Sequence, residues 1–448
     1  MKHEPITAVR FIGYAISTFP AHLRDGLGGG TYLGNASVER DLEMRVCILK
    51  NAIDTAKAQL PADEVGATVN NIFLVPEFFF HGAQGPYLYA DGEEDPILRL
   101  QRILVRTFPA KDYSNWTFVL GTAITARVSD PKRLFESNSV QVRNETVKFL
   151  VSQERKARSA LSEIVTNTLK SFIQDCQGIP DVAVRGRTPV FSHIPLVVLP
   201  NGIESNWMTT EKYFMSGEDF VLYSTSGHKD VITEQMVAYP HIDLSAGDVK
   251  LHSEDSRAIF GQKIDHDESS NFIRIGVEIC LDHEDARLRS NLDIESNPEM
   301  GSCVHIHLVP SCGMAIRPGS VVADADGFVF NCDGQYPLDA TNASVECGAI
   351  DGVPSIYINH NPSPIDAYNF HCAHTQFARV KVAAKGNNPN LNSAEFQELD
   401  STDVLCVAVL EPQLEHGVLS DYFAGGPGAV HIYGVKQGFS LKSNLDEV

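Results

Sequence analysis

The stretch Phe272-Ile273-Arg274-Ile275-Gly276-Val277-Glu278-Ile279-Cys280-Leu281-Asp282-His283 decides how the chain is read. Ile273, Ile275, Val277 and Ile279 fall on every second position, the period of a strand with one buried face. Cys280 follows where that strand should stop, and Asp282, Glu284 and Asp285 form an acidic cluster just after it. A thiol at a strand tip that opens into a turn or helix is held rigidly and can face a pocket. Helix-start amides beside it would favour the thiolate. Taken alone, Cys280 reads as a buried structural cysteine, because free cysteine is among the most buried residue types. Other segments of the chain change that reading.

Toward the N-terminus, Asn71-Ile72-Phe73-Leu74-Val75 is a short apolar strand that stops at Pro76-Glu77 and runs into Phe78-Phe79-Phe80. The plain reading of Glu77 is a loop carboxylate in water. Its setting between proline and three phenylalanines points instead to a partly desolvated group with a raised pKa, suited to general acid and base work. Between these two segments, Ile194 to Leu199 reads as a strand closed by the turn signal Pro200-Asn201-Gly202. Thr210-Glu211-Lys212-Tyr213 follows, where a lone lysine would ordinarily be a solvated surface residue.

The remaining elements read as follows. Ala8 to Thr18 forms a first strand, and the glycines at 26 and 28–30 form a loop that lacks the Lys-Ser/Thr of a phosphate cradle. Val38, Leu42, Val46, Leu49, Ile53, Ala56 and Leu60 mark a helix, capped by Asn35 or Ser37 and ended by Pro61. Asp95-Pro96 opens a second helix to about Phe108. Trp116 to Ile124 and Asn138 to Val142 read as strands, and Glu145 to about Gln177 as charged helix. Gly227 to Asp267 is polar and weakly periodic, and later strands fall at Val304–Val309, Ser355–Asn359, Val404–Leu410 and Ala429–Tyr433. The expectation is one mixed α/β or α+β domain over 1–448, with insertions at about 145–190 (helical) and about 220–268 (polar loop).

Composition bounds the function. The 448 residues are 43% hydrophobic and 21% charged, enough for a sizeable core, and the formal net charge is −21. That balance argues against nucleic acid and anionic membrane as partners, since phosphate contacts need a basic surface. No run of 18 apolar residues occurs, and Met1-Lys2-His3-Glu4-Pro5 lacks a signal-peptide core. Nine cysteines, odd in number and without a CxxC pair, fit a reducing cytoplasmic setting.

Three segments therefore stand out in order: Val75-Pro76-Glu77, Glu211-Lys212-Tyr213 and Ile279-Cys280-Leu281-Asp282. In these the chain resembles the nitrilase, or carbon–nitrogen hydrolase, superfamily. Leu120-Gly121-Thr122 with Asn138-Ser139-Val140, Val309-Pro310-Ser311 and Tyr357-Ile358-Asn359 resemble supporting strands of that family. The resemblance runs from about Thr7 to about Glu411. It implies a four-layer α-β-β-α sandwich, often built into homodimers or higher homo-oligomers. It also implies a catalytic triad of Glu77, Lys212 and Cys280, acting on a small-molecule amide or nitrile without a metal or organic cofactor. Glu218 resembles the second glutamate that many members use to position lysine and substrate. The backbone amide of Leu281 would join Lys212 in stabilising the negative charge. An amidase is the leading expectation. A nitrilase, an amide-forming acyltransferase and a silent relative that binds a protein are the alternatives.

The chain departs from the family pattern at Phe214, where a histidine is common, and at His283-Glu284-Asp285-Ala286, where Arg and Pro-Glu are common. His283 is a candidate substrate contact, against the plain reading of a surface or helix-start histidine. Phe78 to Phe80, Tyr87, Trp207 and Tyr213 are candidates to wall an apolar pocket, Phe78 and Tyr213 foremost. His305 and His307 stand two apart, a spacing that metal sites use, although hydrogen-bonded strand histidines explain it as well. Asp324-Ala325-Asp326-Gly327 lacks the rest of an EF-hand loop and reads as a solvated turn.

Overall fold

In the computed structural model, the described residues are 6–19, 21–22, 30–31, 33–61, 68–83, 85–128, 182–198, 203–212, 258–264, 272–291, 304–360, 373–386, 388–400 and 402–441. Among them strand accounts for 46% and helix for 17%. The expected α-β-β-α sandwich is not what forms. Apart from the short pair Ala21–His22 and Gly30–Thr31, the strands join into one long sheet that curls until it is nearly closed, like a barrel.

Three parallel strands begin it: Ile6–Ala15 pairs with Thr68–Val75, which pairs with Trp116–Leu120. Val182–Val198 then carries the sheet onward. This strand of 17 residues pairs antiparallel with Trp116–Leu120, Ala123–Val128 and Ile203–Glu211, and finally with Ile259–Lys263. Its register with Ile203–Glu211 shifts between Phe191 and Leu196, so it bends and serves both halves. From Ile259–Lys263 the order runs through Phe272–Val277, Val304–Ser311, Ala323–Asp333, Ala373–Val382, Val353–His360 and Ala343–Ile350. On the other side Ile6–Ala15 pairs with Ala429–Tyr433, which pairs with Val404–Ala408.

Inside the curl, side chains of the two halves meet. The Phe11 ring lies 5.6 Å from Phe328, 5.4 Å from Phe330 and 5.1 Å from Phe377, centroid to centroid. Rings at these separations contribute contact energy beyond their buried area. Outside, helix Val38–Lys57 and helix Pro96–Thr107 cover one half, burying Leu42, Leu49, Ile53, Leu100 and Leu104 against Tyr14, Phe73 and Phe118. Both start as the sequence says, with Ser37 and Asp95 as N-caps. Over the other half no long helix lies among the described residues. Leu288 of the short helix Arg287–Asn291, Phe396 of the two-residue strand Glu395–Phe396, and Ile316, Val321 and Ala394 from loops cover it. One helical face and one loop-covered face replace the two helical layers of a sandwich.

Local readings were mostly correct where apolar periodicity was strong. Trp116 to Ile124 is two strands, Trp116–Leu120 and Ala123–Val128, because Gly121 takes a φ of 63° between them. Parts of both expected insertions are strand, at Val182–Val198 and Ile259–Lys263. Asp324-Ala325-Asp326-Gly327 lies in strand Ala323–Asp333, where Asp326 takes a φ of 67° and pairs with Arg379 at 3.3 Å. The expected strand 138–142 and helix 145–177 lie outside the described residues. No described helix is long and apolar enough to cross a membrane.

Candidate active site

Glu77, Lys212 and Cys280 come together at the open ends of three strands. Glu77 follows Thr68–Val75, Lys212 follows Ile203–Glu211, and Cys280 follows Phe272–Val277. The Lys212 Nζ lies 2.6 Å from Glu77 Oε1, with neither side chain exposed. Cys280 is 5% exposed, and both partners act on its thiol, Glu77 by charge and hydrogen bond and Lys212 by charge. Lys212, which taken alone would read as an ordinary surface residue, is 1% exposed. A cation and an anion this deep need one another, since each alone would carry an unpaid desolvation cost of several kcal/mol.

Each group is fixed by backbone as well as by charge. The Glu77 amide donates to Ser311 O at 3.2 Å, the Cys280 amide to Pro310 O at 3.1 Å, and the Lys212 amide to Gly186 O at 2.8 Å. Gly121 makes the approach at Glu77 possible: a Cβ there would meet Pro76 O at 2.0 Å. Behind the loop, Arg45 donates to Phe79 O at 2.9 Å and pairs with Asp41 at 2.7 Å, while Tyr87 OH donates to the same carboxylate at 2.5 Å. Arg45 therefore braces this loop from helix Val38–Lys57, and Tyr87 holds the Asp41 carboxylate that pairs with it.

Cys280 takes φ 45° and ψ −105°. A side chain held there carries about 1–3 kcal/mol of strain, a pattern common where a nucleophile must be presented sharply. Its Sγ lies 3.8 Å from Cys312 O. Burial first, and then the Glu77 charge, push the thiol well above its ordinary value, and Lys212 only partly offsets them. A thiol whose pKa is raised in this way calls for a base in order to attack. Phe78 is buried with a φ of 61°, its amide donates to Thr122 Oγ1 at 2.7 Å, and its ring lies 5.2 Å from the Lys212 ammonium. An aromatic face at that distance adds cation–π attraction.

Leu281 opens a one-turn helix, Leu281–Glu284. The amides of Asp282, His283, Glu284, Asp285 and Ala286 donate to the carbonyls of 279, 280, 281 and 283, and the Leu281 amide takes none of these. His283 is not at the surface. It is fully buried, with Nδ1 2.7 Å from Glu278 Oε2 and Nε2 accepting from the Arg317 amide at 3.0 Å. His305 and His307 take separate partners: His305 Nδ1 accepts from the Arg274 amide at 2.9 Å, and His307 Nε2 lies 3.2 Å from Glu278 Oε2. Glu218 and Tyr213 lie outside the described residues. Trp207 is half-buried against the helical half of the core.

Sequence reading missed Asp333. This buried carboxylate accepts from Ser311 Oγ at 2.8 Å and from the amides of Gly313 at 2.5 Å, Met314 at 2.9 Å and Gln335 at 2.9 Å. It clamps the loop whose carbonyls hold the amides of Glu77 and Cys280. No periodicity marks such a residue. Compared with known proteins, the chain matches no protein-family model and no curated sequence.

Proposed function

We propose that the protein is a thiol-dependent hydrolase of a non-peptide carbon–nitrogen bond, with a small-molecule amide as substrate. The observation that carries this reading is the convergence of a buried carboxylate, a buried ammonium and a strained thiol at Glu77, Lys212 and Cys280. The resemblance to the nitrilase superfamily rests on this ordered triad and not on a sandwich fold.

The chemistry runs as follows. Glu77 takes the Cys280 proton as the sulfur attacks the amide carbon, because an amide is a poor electrophile and only the thiolate is nucleophilic enough. Charge grows on the carbonyl oxygen, stabilised by Lys212 and the Leu281 amide; one such donor is worth about 3–4 kcal/mol. Glu77 then protonates the departing amine, leaving a thioester on Cys280. A water molecule, deprotonated by Glu77, attacks the thioester and releases the acid and the free thiol. No step calls for a metal or an organic cofactor. A nitrile carbon meets the same groups, with the charge growing on nitrogen. The acidic chain, formal charge −21, favours a neutral or cationic substrate over a polyanion.

Replacing Cys280→Ala tests the reading. Turnover across a panel of small amides should vanish while the melting temperature stays within a few degrees of the parent. Turnover that survives the substitution overturns the proposal.

A further inference from the structure

Two buried clusters of histidine lie outside the triad, and their outer hydrogen bonds set them apart. Glu278, His283 and His307 form the first. There the His283 Nε2 accepts from the Arg317 amide, and the His307 Nδ1 faces the Val322 amide at 3.4 Å. Backbone donors on the outer nitrogens place the ring protons on the inner ones, pointing at Glu278 Oε2. The Leu288 amide fills Glu278 Oε1 at 2.8 Å. In that tautomer neither inner ring nitrogen offers a lone pair to an ion.

His360, His431 and Cys406 form the second, and its polarity is reversed. Here the outer partner of His360 Nδ1 is a pure acceptor, the Asp339 carbonyl, at 2.9 Å. The outer partner of His431 Nδ1 is Thr375 Oγ1 at 2.7 Å, which itself lies 2.7 Å from the Tyr433 hydroxyl. An acceptor on the outer nitrogen, as at His360, fixes the tautomer that leaves Nε2 with a lone pair, the arrangement found behind metal-bound histidines; Thr375 Oγ1 takes the same role at His431 when it accepts from Nδ1. The two Nε2 atoms face each other at 2.7 Å, and both rings are buried. Cys406 stands directly across from His431 in the strand pair, so its sulfur shares that face. The three donor atoms lie within 4.8 Å of one another. Gly13 permits the packing, since a Cβ there would meet Thr375 Cγ2 at 2.4 Å.

We propose that His360, His431 and Cys406 bind a divalent ion of the zinc class, through two imidazole nitrogens and one thiolate. Imidazole and thiolate suit zinc, whose tetrahedral bonds of about 2.0–2.3 Å place two nitrogens about 3.3 Å apart. The His360 and His431 rings need to part by only about half an ångström to admit the ion. Binding expels the Cys406 proton, and the ion's charge holds the thiolate. His374 stands close by: its ring lies 5.7 Å from His360, and its Nδ1 has no hydrogen-bond partner among the described residues. The site is structural in this account. It ties the end of strand Val353–His360 to the middles of strands Val404–Ala408 and Ala429–Tyr433 in the nearly closed sheet. The competing account is a single proton shared between the two Nε2 atoms, with Thr375 donating to His431.

The test titrates the chelator-stripped full-length chain with Zn2+ and Co2+. The expected result is one ion per chain and, for cobalt, a sulfur-to-metal charge-transfer band. Cys406→Ser should abolish that band, and His431→Gln should weaken affinity roughly tenfold or more. Glu278→Gln should leave both unchanged. Failure of the parent chain to take up either ion, or uptake without the band, overturns the proposal even if a variant misfolds. Loss of binding in Glu278→Gln, with Cys406→Ser unaffected, overturns it as well.

Discussion

The ammonium of Lys212 sits 2.6 Å from the carboxylate of Glu77, in a place where neither side chain touches solvent. Two loops that follow different strands meet there, so the pair is a structural joint as well as a charge arrangement. Cys280 lies against both, which makes its proton the one that the pair controls.

Removing one member of the pair should cost more than removing both. Lys212→Met leaves a buried carboxylate alone, and Glu77→Gln leaves a buried ammonium alone. Each should lower stability by about 3–5 kcal/mol. The double variant, with both charges gone, should be more stable than either single one. Denaturant midpoints of the four proteins measure this coupling. Independent, additive losses would show that the two groups do not depend on each other.

The Cys280 thiol should alkylate slowly at neutral pH. Burial and the Glu77 charge raise its pKa, so the thiolate fraction grows only as pH climbs past the ordinary thiol value of about 8.5. Glu77→Gln removes the charge that raises the pKa and leaves Lys212, which lowers it. The iodoacetamide profile of that variant should shift to lower pH while its turnover disappears. Lys212→Met should shift the profile the other way. Mass-resolved labelling of Cys280 against pH reads both shifts, and a profile indifferent to Glu77 would contradict the assigned electrostatics.

Gly121 should tolerate no side chain. An added Cβ would meet Pro76 O at 2.0 Å, at a φ of 63° that alanine resists. Gly121→Ala should therefore displace the Pro76–Glu77 turn and reduce turnover at least tenfold, a loss greater than its effect on substrate affinity. Separate kcat and KM values decide it. An unchanged kcat would mean that the turn does not position Glu77 for chemistry.

Much of the site was legible and much of the fold was not. The alternation of Ile273, Ile275, Val277 and Ile279 revealed the strand that carries Cys280, and the three-and-four spacing from Val38 revealed the first helix. Lys212 could be singled out only through the resemblance, because nothing local distinguishes a buried lysine from a solvated one. The sandwich expectation failed on strands that periodicity does not reveal. Ala343–Ile350 is almost wholly exposed, so no apolar face repeats along it. Val182–Val198 holds Gly186, Pro189 and Pro195, which read as breakers although the strand bends through them. His360, Cys406 and His431 come from three strands, so no spacing motif links them.

Trapping the acyl-enzyme tests the central claim most directly. The full-length protein is mixed with a panel of small amides, quenched in acid and weighed intact, then digested to locate any adduct. The account predicts a mass gain equal to the acyl part of a turned-over substrate, carried on Cys280 and absent from Cys280→Ala. Turnover with the acyl group on another side chain, or persisting without Cys280, would contradict it.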